Sequence, residues 1–238
     1  MNPFPQDRCL ICHEIIRPII GWRALVSSEK EPLICQTCEG KLETITGETC
    51  RICNRPLRLL DEEFRDGDLC HDCYRWEEDP EWQGLLDKNH SLFLYNNFLK
   101  EVIAKFKFRG GYILAKGFAQ FFQKELERLD QDLLVPIPLS EERLYERGFN
   151  QAKALVVESG KVPTEILTRI HSEKQSKKSR SERIHLSQVF KLEPNIILKG
   201  KRIVLVDDVY TTGSTLRHAA KLLKQAGAIT IQSLTIAR

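Results

Sequence analysis

Two adjacent acids, Asp207 and Asp208, follow an apolar run of four, Ile203-Val204-Leu205-Val206, and precede a hydroxyl-rich turn, Thr211-Thr212-Gly213-Ser214-Thr215. Neighbouring carboxylates at the C-terminal edge of a strand can accept hydrogen bonds from vicinal ribose hydroxyls, or order a Mg2+ ion and its waters. Hydroxyls and backbone N–H groups where a helix begins, near Ser214, suit a phosphate, because the helix dipole is positive at that end. Gly213 lets the backbone close on an anion with no Cβ in the way. Each part suits a ribose 5-phosphate. A Walker-type loop is excluded, since no Gly-Lys-Ser/Thr ends the turn. The plain alternative is a capped helix beside solvated acids.

A second chemistry lies upstream. All eight cysteines fall into four Cys-x-x-Cys knuckles: Cys9 and Cys12, Cys35 and Cys38, Cys50 and Cys53, Cys70 and Cys73. A two-residue gap lets both thiolates of a knuckle reach one metal at ~2.3 Å, and two knuckles complete a tetrahedron. The spacing predicts two structural Zn2+ ions, one from the first four cysteines and one from the last four, with an interleaved pairing left open. Disulfides are disfavoured by a reducing compartment, and a redox pair by the lack of a βαβ frame. An iron–sulfur cluster is the remaining rival. Four thiolates leave no open position for water, so the metals are structural rather than catalytic.

These residues must be positioned by the rest of the 238-residue chain, which is long enough for one medium domain and a small one. No stretch approaches the ~18 apolar residues of a membrane span. The N-terminal decade carries no apolar signal core, so a cytoplasmic protein is expected. Residues 1–80 hold 10 Lys+Arg against 16 Asp+Glu, which leaves 26 of the 36 bases and 17 of the 33 acids to residues 81–238. A basic excess in the larger part fits a phosphorylated ligand or nucleic acid, and argues against the acidic cysteine-rich part as a primary DNA grip.

Periodicity predicts strands alternating with helices, hence a mainly parallel α/β sheet with ligands at strand C-terminal ends. An acidic connector at 74–90 leads to a strand at 91–95. A helix over 97–107 follows, with Leu99, Ile103 and Phe106 on one face. Lys105, Lys107 and Arg109 then run into Gly110-Gly111, where a plain helix stop explains the cations as well as a phosphate contact does. A helix over 112–129 precedes a strand at 132–140 that must end at Pro136 and Pro138, which lack N–H donors. The segment Glu142 to Gln151 then leads into a helix reaching about Glu158. Arg143 and Arg147 lie near the helix start, where a bound anion would account for bases that the dipole disfavours and an ordinary charged surface is the equal alternative. Residues 169–190 form a basic, serine-punctuated loop containing Lys174, Lys177, Lys178, Arg180 and Arg183. A strand at 201–206, a helix at 214–226 and a strand at 228–236 complete the pattern.

The run at 203–215 resembles the PRPP-binding motif of type I phosphoribosyltransferases. By that resemblance Asp207 and Asp208 hold the ribose 2′ and 3′ hydroxyls, and residues 211–215 hold the 5-phosphate. Across the whole chain the resemblance is to the ComF family. It is carried by the four knuckles, the turn at Lys107 to Gly111, Val135-Pro136-Ile137-Pro138, Arg147-Gly148-Phe149-Asn150-Gln151 and the paired aspartates. It implies a double zinc ribbon over 1–80 and a phosphoribosyltransferase-like domain over 81–238. The ligand implied is Mg2+–PRPP, with pyrophosphate against the turn after Pro136 and beside Arg143 and Arg147. Asp207, Asp208 and Arg147 form the implied catalytic set, with Lys178 and Arg180 from a closing loop. A role in bacterial competence on single-stranded DNA with a helicase-like partner is implied too. Cys9, the first cysteine, belongs to a knuckle, so glutamine-dependent amide transfer is not expected. His185 departs from an Asn in the family. Two readings stand: a working transferase, and a DNA-handling factor whose fold binds PRPP or nucleotide without turnover.

Overall fold

The computed structural model describes residues 8–16, 32–108, 110–170 and 189–238. The cysteine-rich part contributes α1 (Gln36–Glu39), the hairpin β1 (Arg65–Asp66) and β2 (Leu69–Cys70), and α2 (His71–Glu77). Then come β3 (Lys88–Phe93), α3 (Asn97–Phe106), α4 (Ile113–Leu126), β4 (Leu133–Pro136), α5 (Glu141–Arg147) and α6 (Gln151–Glu158). The chain closes with β5 (Leu167–Arg169), β6 (Phe190–Leu192), β7 (Arg202–Val209), α7 (Ser214–Gln225) and β8 (Thr230–Ala237).

Four parallel strands form the centre in the order β3-β8-β7-β4, and β5 and β6 make a separate antiparallel pair. The run Ile203 to Val206 is buried on both faces because β7 lies inside the sheet. Side chains alternate across a strand. Val204 and Val206 face one core with Leu234, Ile236, α3, α4 and α6. Ile203 and Leu205 face the other with Val135, Ile231 and α7. Each fully buried aliphatic side chain here contributes about 1.5–3 kcal/mol.

The cysteine knuckles share these cores. Cys9, Ile11, Ile34 and Cys38 pack in the first, and Cys50, Ile52, Cys53, Cys70 and Cys73 in the second. The two ribbons therefore grip opposite faces of one sheet. The second also docks on a strand edge through polar contacts: Asn89 donates its backbone N–H to the Ile52 carbonyl at 2.6 Å, and Asn54 Nδ2 donates to the Ser91 carbonyl at 3.1 Å.

Three predicted boundaries move. The first strand begins at Lys88 rather than 91, extended by pairing with β8. The acidic connector is instead a packed segment: Trp76, Trp82 and Leu86 are buried, and Glu81 and Asp87 pair with Lys221 and Lys224 of α7. The helix expected to reach Glu158 does so as α6, but the residues before it form a helix of their own, α5, which Gly148 ends in the left-handed region with a φ of 79°. Asn150 then starts α6, accepting from the Lys153 N–H at 3.2 Å while its Nδ2 donates to the Ile137 carbonyl at 3.0 Å.

Candidate functional site

The paired acids lie inside the last residues of β7, which runs to Val209, three residues beyond the predicted end at 206. Their carboxylates bond locally: Oδ1 of Asp207 accepts from the Asp208 N–H at 2.9 Å, and Oδ1 of Asp208 from the Val209 N–H at 3.0 Å. Burial, reinforced by the neighbouring charge of Asp208, pushes the Asp207 carboxyl up to about 8.

Cations surround this pair. Lys107, at the end of α3, places Nζ 2.5 Å from Oδ2 of Asp208. Gly111 closes the turn after this helix end: a Cβ there would lie 2.3 Å from the Lys105 carbonyl oxygen, so only glycine lets the chain fold back beneath it. Arg147 donates to Oε1 of Gln151 at 2.9 Å. Burial lowers the pKa of Arg147, against the opposing pull of Asp208 and Asp207, which places it within the field of both acids. It sits in the last turn of α5, not at a helix start, so dipole logic no longer sets it apart. Arg143, one turn earlier, opens α5 behind the Ser140 cap, whose Oγ accepts from the Arg143 N–H at 3.3 Å.

Arg169, at the end of β5, is a member that sequence reasoning missed. Its guanidinium lies 5.5 Å from the Phe190 ring centroid, and burial lowers its pKa while Arg143 and Asp207 act on it with opposite signs. No sequence signal isolated it from its neighbours. Lys178, Arg180 and His185 lie outside the described residues.

The turn after β7 is set by what lies beneath it. Gly213 has φ 78°, and a Cβ there would meet Tyr210 Oη at 2.1 Å and Arg217 Nη1 at 2.6 Å. Tyr210 is itself buried and accepts from Arg217 Nη1 at 2.7 Å. Thr212 Oγ1 accepts from the Ser214 N–H at 3.4 Å, and α7 begins there with no side-chain cap on its first turn. Asp207, Asp208, Lys107 and Arg147 thus converge, with Thr211, Thr212, Gly213, Ser214 and Thr215 following on the same chain turn. Pro136 ends β4 in register with Val206, which puts the turn after it beside the same strand end.

The eight thiols gather into two groups, Cys9, Cys12, Cys35 and Cys38, and Cys50, Cys53, Cys70 and Cys73, with sulfur atoms in each within 4.8 Å of one another. The interleaved pairing is thereby excluded. Sγ atoms of Cys12 and Cys35 are 3.7 Å apart and those of Cys53 and Cys70 3.5 Å, too long for a disulfide. A tetrahedron with arms of ~2.3 Å has edges of about 3.8 Å, so both groups fit zinc. Backbone N–H groups of Cys35 and Cys70 point at the sulfurs of Cys9 and Cys50, each at 3.3 Å, as knuckle thiolates require.

Residues 143–238 match the family model of the phosphoribosyl transferase domain, and residues 3–74 that of the double zinc ribbon domain. The chain is 37% identical over 234 residues to the competence protein ComFC of Bacillus subtilis (strain 168), covering 97% of this chain and 94% of that one. It is 30% identical over 232 residues to ComFC of Streptococcus pneumoniae (strain ATCC BAA-255 / R6), covering 97% of this chain and all of that one. It is 26% identical over 233 residues to the DNA utilization protein YhgH of Escherichia coli O157:H7, covering 87% and 97%.

Proposed function

Because the chain belongs to the ComFC family of competence proteins, we propose that it binds Mg2+–PRPP at the C-terminal edge of β7 and serves in the handling of single-stranded DNA. One observation carries this reading: two carboxylates, a cluster of bases and a glycine-hinged hydroxyl turn meet at the end of a central parallel strand. In such sheets ligands sit at that end.

Asp207 and Asp208 accept from the ribose 2′ and 3′ hydroxyls, and residues 211–215 receive the 5-phosphate at the start of α7. Pyrophosphate lies against the turn after Pro136, beside Arg143 and Arg147. The ligand's Mg2+ would supply charge neutralisation at the pyrophosphate, with Asp207 and Asp208 as the carboxylates nearest to hold its waters. As the C1–O bond breaks and its electrons leave with pyrophosphate, Arg143 and Arg147 stabilise the departing anion and the two acids steady the ribose that gains positive character. Lys178 and Arg180 are the further bases that the resemblance assigns to the reaction, and the acceptor, a nucleobase, an amine or a DNA-linked group, supplies the lone pair that forms the new bond to C1.

Calorimetry of the zinc-loaded protein against PRPP, with and without Mg2+, tests this. Binding that depends on Mg2+ and is lost in the double variant Asp207→Ala, Asp208→Ala is expected; an unchanged isotherm in that variant removes the site. For DNA, affinity for a single strand should fall steeply with salt and drop when Lys174, Lys177, Lys178 and Arg180 are changed together to Gln. Equal affinity in that variant overturns the DNA assignment.

A further inference from the structure

The supports of the turn at 211–213 come from the second cysteine cluster rather than from the sheet alone. The indole Nε1 of Trp76 donates to the Thr212 carbonyl at 3.0 Å. Arg238 Nη1 donates to the Thr211 carbonyl at 2.5 Å and to the Tyr210 carbonyl at 3.3 Å. The other arm of the same guanidinium, Nη2, donates to Sγ of Cys53 at 3.3 Å. Three consecutive carbonyls are thus held by a side chain on the helix that carries Cys73 and by one that touches Cys53.

That grip has a geometric consequence. A peptide unit is planar and trans, so a carbonyl and the N–H that follows it point in opposite directions. Turning the carbonyls of Tyr210, Thr211 and Thr212 toward the ribbon turns the N–H groups of Thr211, Thr212 and Gly213 away from it. Among the described residues these three donate to no backbone carbonyl. They stand ready for an anion.

The charge balance beneath the turn comes from the same place. Arg217 is fully buried, with Glu77 Oε1 3.6 Å from Nη2 and the Trp76 ring centroid 5.0 Å from its guanidinium. Trp76 and Glu77 both ride on α2, which begins next to Cys70 and contains Cys73. Two ligands of one metal therefore fix the helix that fixes the turn, and Arg238 ties a third, Cys53, to it directly.

We propose that Trp76 and Arg238 are positioning residues that fasten the phosphate turn to the second zinc ribbon, so that ligation at Cys50, Cys53, Cys70 and Cys73 sets the turn in its anion-accepting form. This rests on the PRPP reading for the identity of the anion, but the fastening itself is separable from it. A hydrogen bond donated to a metal thiolate also holds that ligand in place, so the coupling runs both ways.

The test uses the full-length, zinc-loaded protein and compares hydrogen exchange in wild type, Trp76→Phe, Arg238→Gln and Arg238→Lys. Trp76→Phe keeps an aromatic ring and removes the donor together with the second ring, so Arg238→Gln, which touches no ring packing of Trp76, is the companion variant. The Tyr210, Ser214 and Arg217 amides, which frame the turn, should exchange about tenfold faster in Trp76→Phe, the loss expected for one hydrogen bond, and at least about tenfold faster in Arg238→Gln, which removes three. Amides of α4 should be unchanged, both zinc equivalents retained, and Arg238→Lys should recover part of the protection. Unchanged exchange in both variants overturns the fastening, whether or not PRPP binds. Faster exchange with an undiminished affinity for PRPP overturns its role in presenting the turn. Failure of the wild type to bind PRPP removes the ligand assignment and leaves the exchange result to decide the fastening.

Discussion

Lys107 Nζ lies 2.5 Å from Oδ2 of Asp208, while burial and the charge of that same Asp208 push the adjacent Asp207 up to about 8. The pair therefore enters neutral solution with a proton on Asp207. Ribose hydroxyls donate hydrogen bonds, which favour the ionised carboxylate over the acid. Binding of PRPP at pH 7 should then release up to about one proton from Asp207. Calorimetric heats measured in buffers of different ionisation enthalpy report that proton, and Asp207→Asn should remove its share. Heats that track the buffer equally in wild type and Asp207→Asn would contradict the assignment.

The same proton sets a stability slope in the free protein. Asp207 is raised from an ordinary 3.8 to about 8, so between those pH values the folded state holds a proton that the unfolded state has lost. Stability contributed by this group is therefore lost as pH rises through the window. Asp207→Asn should flatten the slope and be the more stable protein at pH 8, by an amount on the order of 2 kcal/mol. Urea midpoints at pH 5 and pH 8 measure it. A variant that is less stable than wild type at pH 8 would show that Asp207 is held ionised.

Gly213→Ala should damage the turn more than any nearby substitution of similar size. Its φ of 78° already disfavours a side chain, and the new Cβ would overlap Tyr210 Oη and crowd Arg217. Moving Tyr210 breaks the only hydrogen bond described for its hydroxyl and loosens a buried guanidinium. A loss of about 2–4 kcal/mol in thermal or denaturant unfolding is expected, together with loss of PRPP binding. Alanine at Gly160, which has a positive φ but open space around it, should cost only about 1 kcal/mol. Equal losses at the two positions would show that the space under the turn is not what matters.

Much of this was readable from the chain alone, and the reason is local. Asp207, Asp208 and the turn after them are consecutive, and β7 and α7 declare themselves by apolar runs of strand and helix period. Knuckle spacing likewise announced two four-cysteine sites. What escaped were partnerships across distant sequence. Lys107 read equally as a helix stop or a phosphate contact, and its pairing with Asp208 of β7 was not visible. Trp76 and Arg238 meet the turn across separations of 136 and 27 residues, and no periodicity records which side chain a fold brings beneath a loop. Arg147 was recognised, but it was set just before the start of one helix, whereas it ends a short helix of its own that Gly148 closes.

The two metal sites should part company when challenged. Cys50, Cys53, Cys70 and Cys73 are all buried, and Arg238 covers Cys53, whereas Cys12 is exposed and Cys35 half-buried in the other group. Thiolates react according to their access and charge, so a mercurial reagent reaches the first group earlier. Zinc release followed with a chromophoric chelator should show two equivalents in two phases, the first at least about tenfold faster. The slow phase should coincide with loss of the protected amides at Tyr210 and Arg217, since the second ribbon packs against α7. One equivalent in total, or two released together, would mean that the groups do not bind metal independently on their separate faces of the sheet.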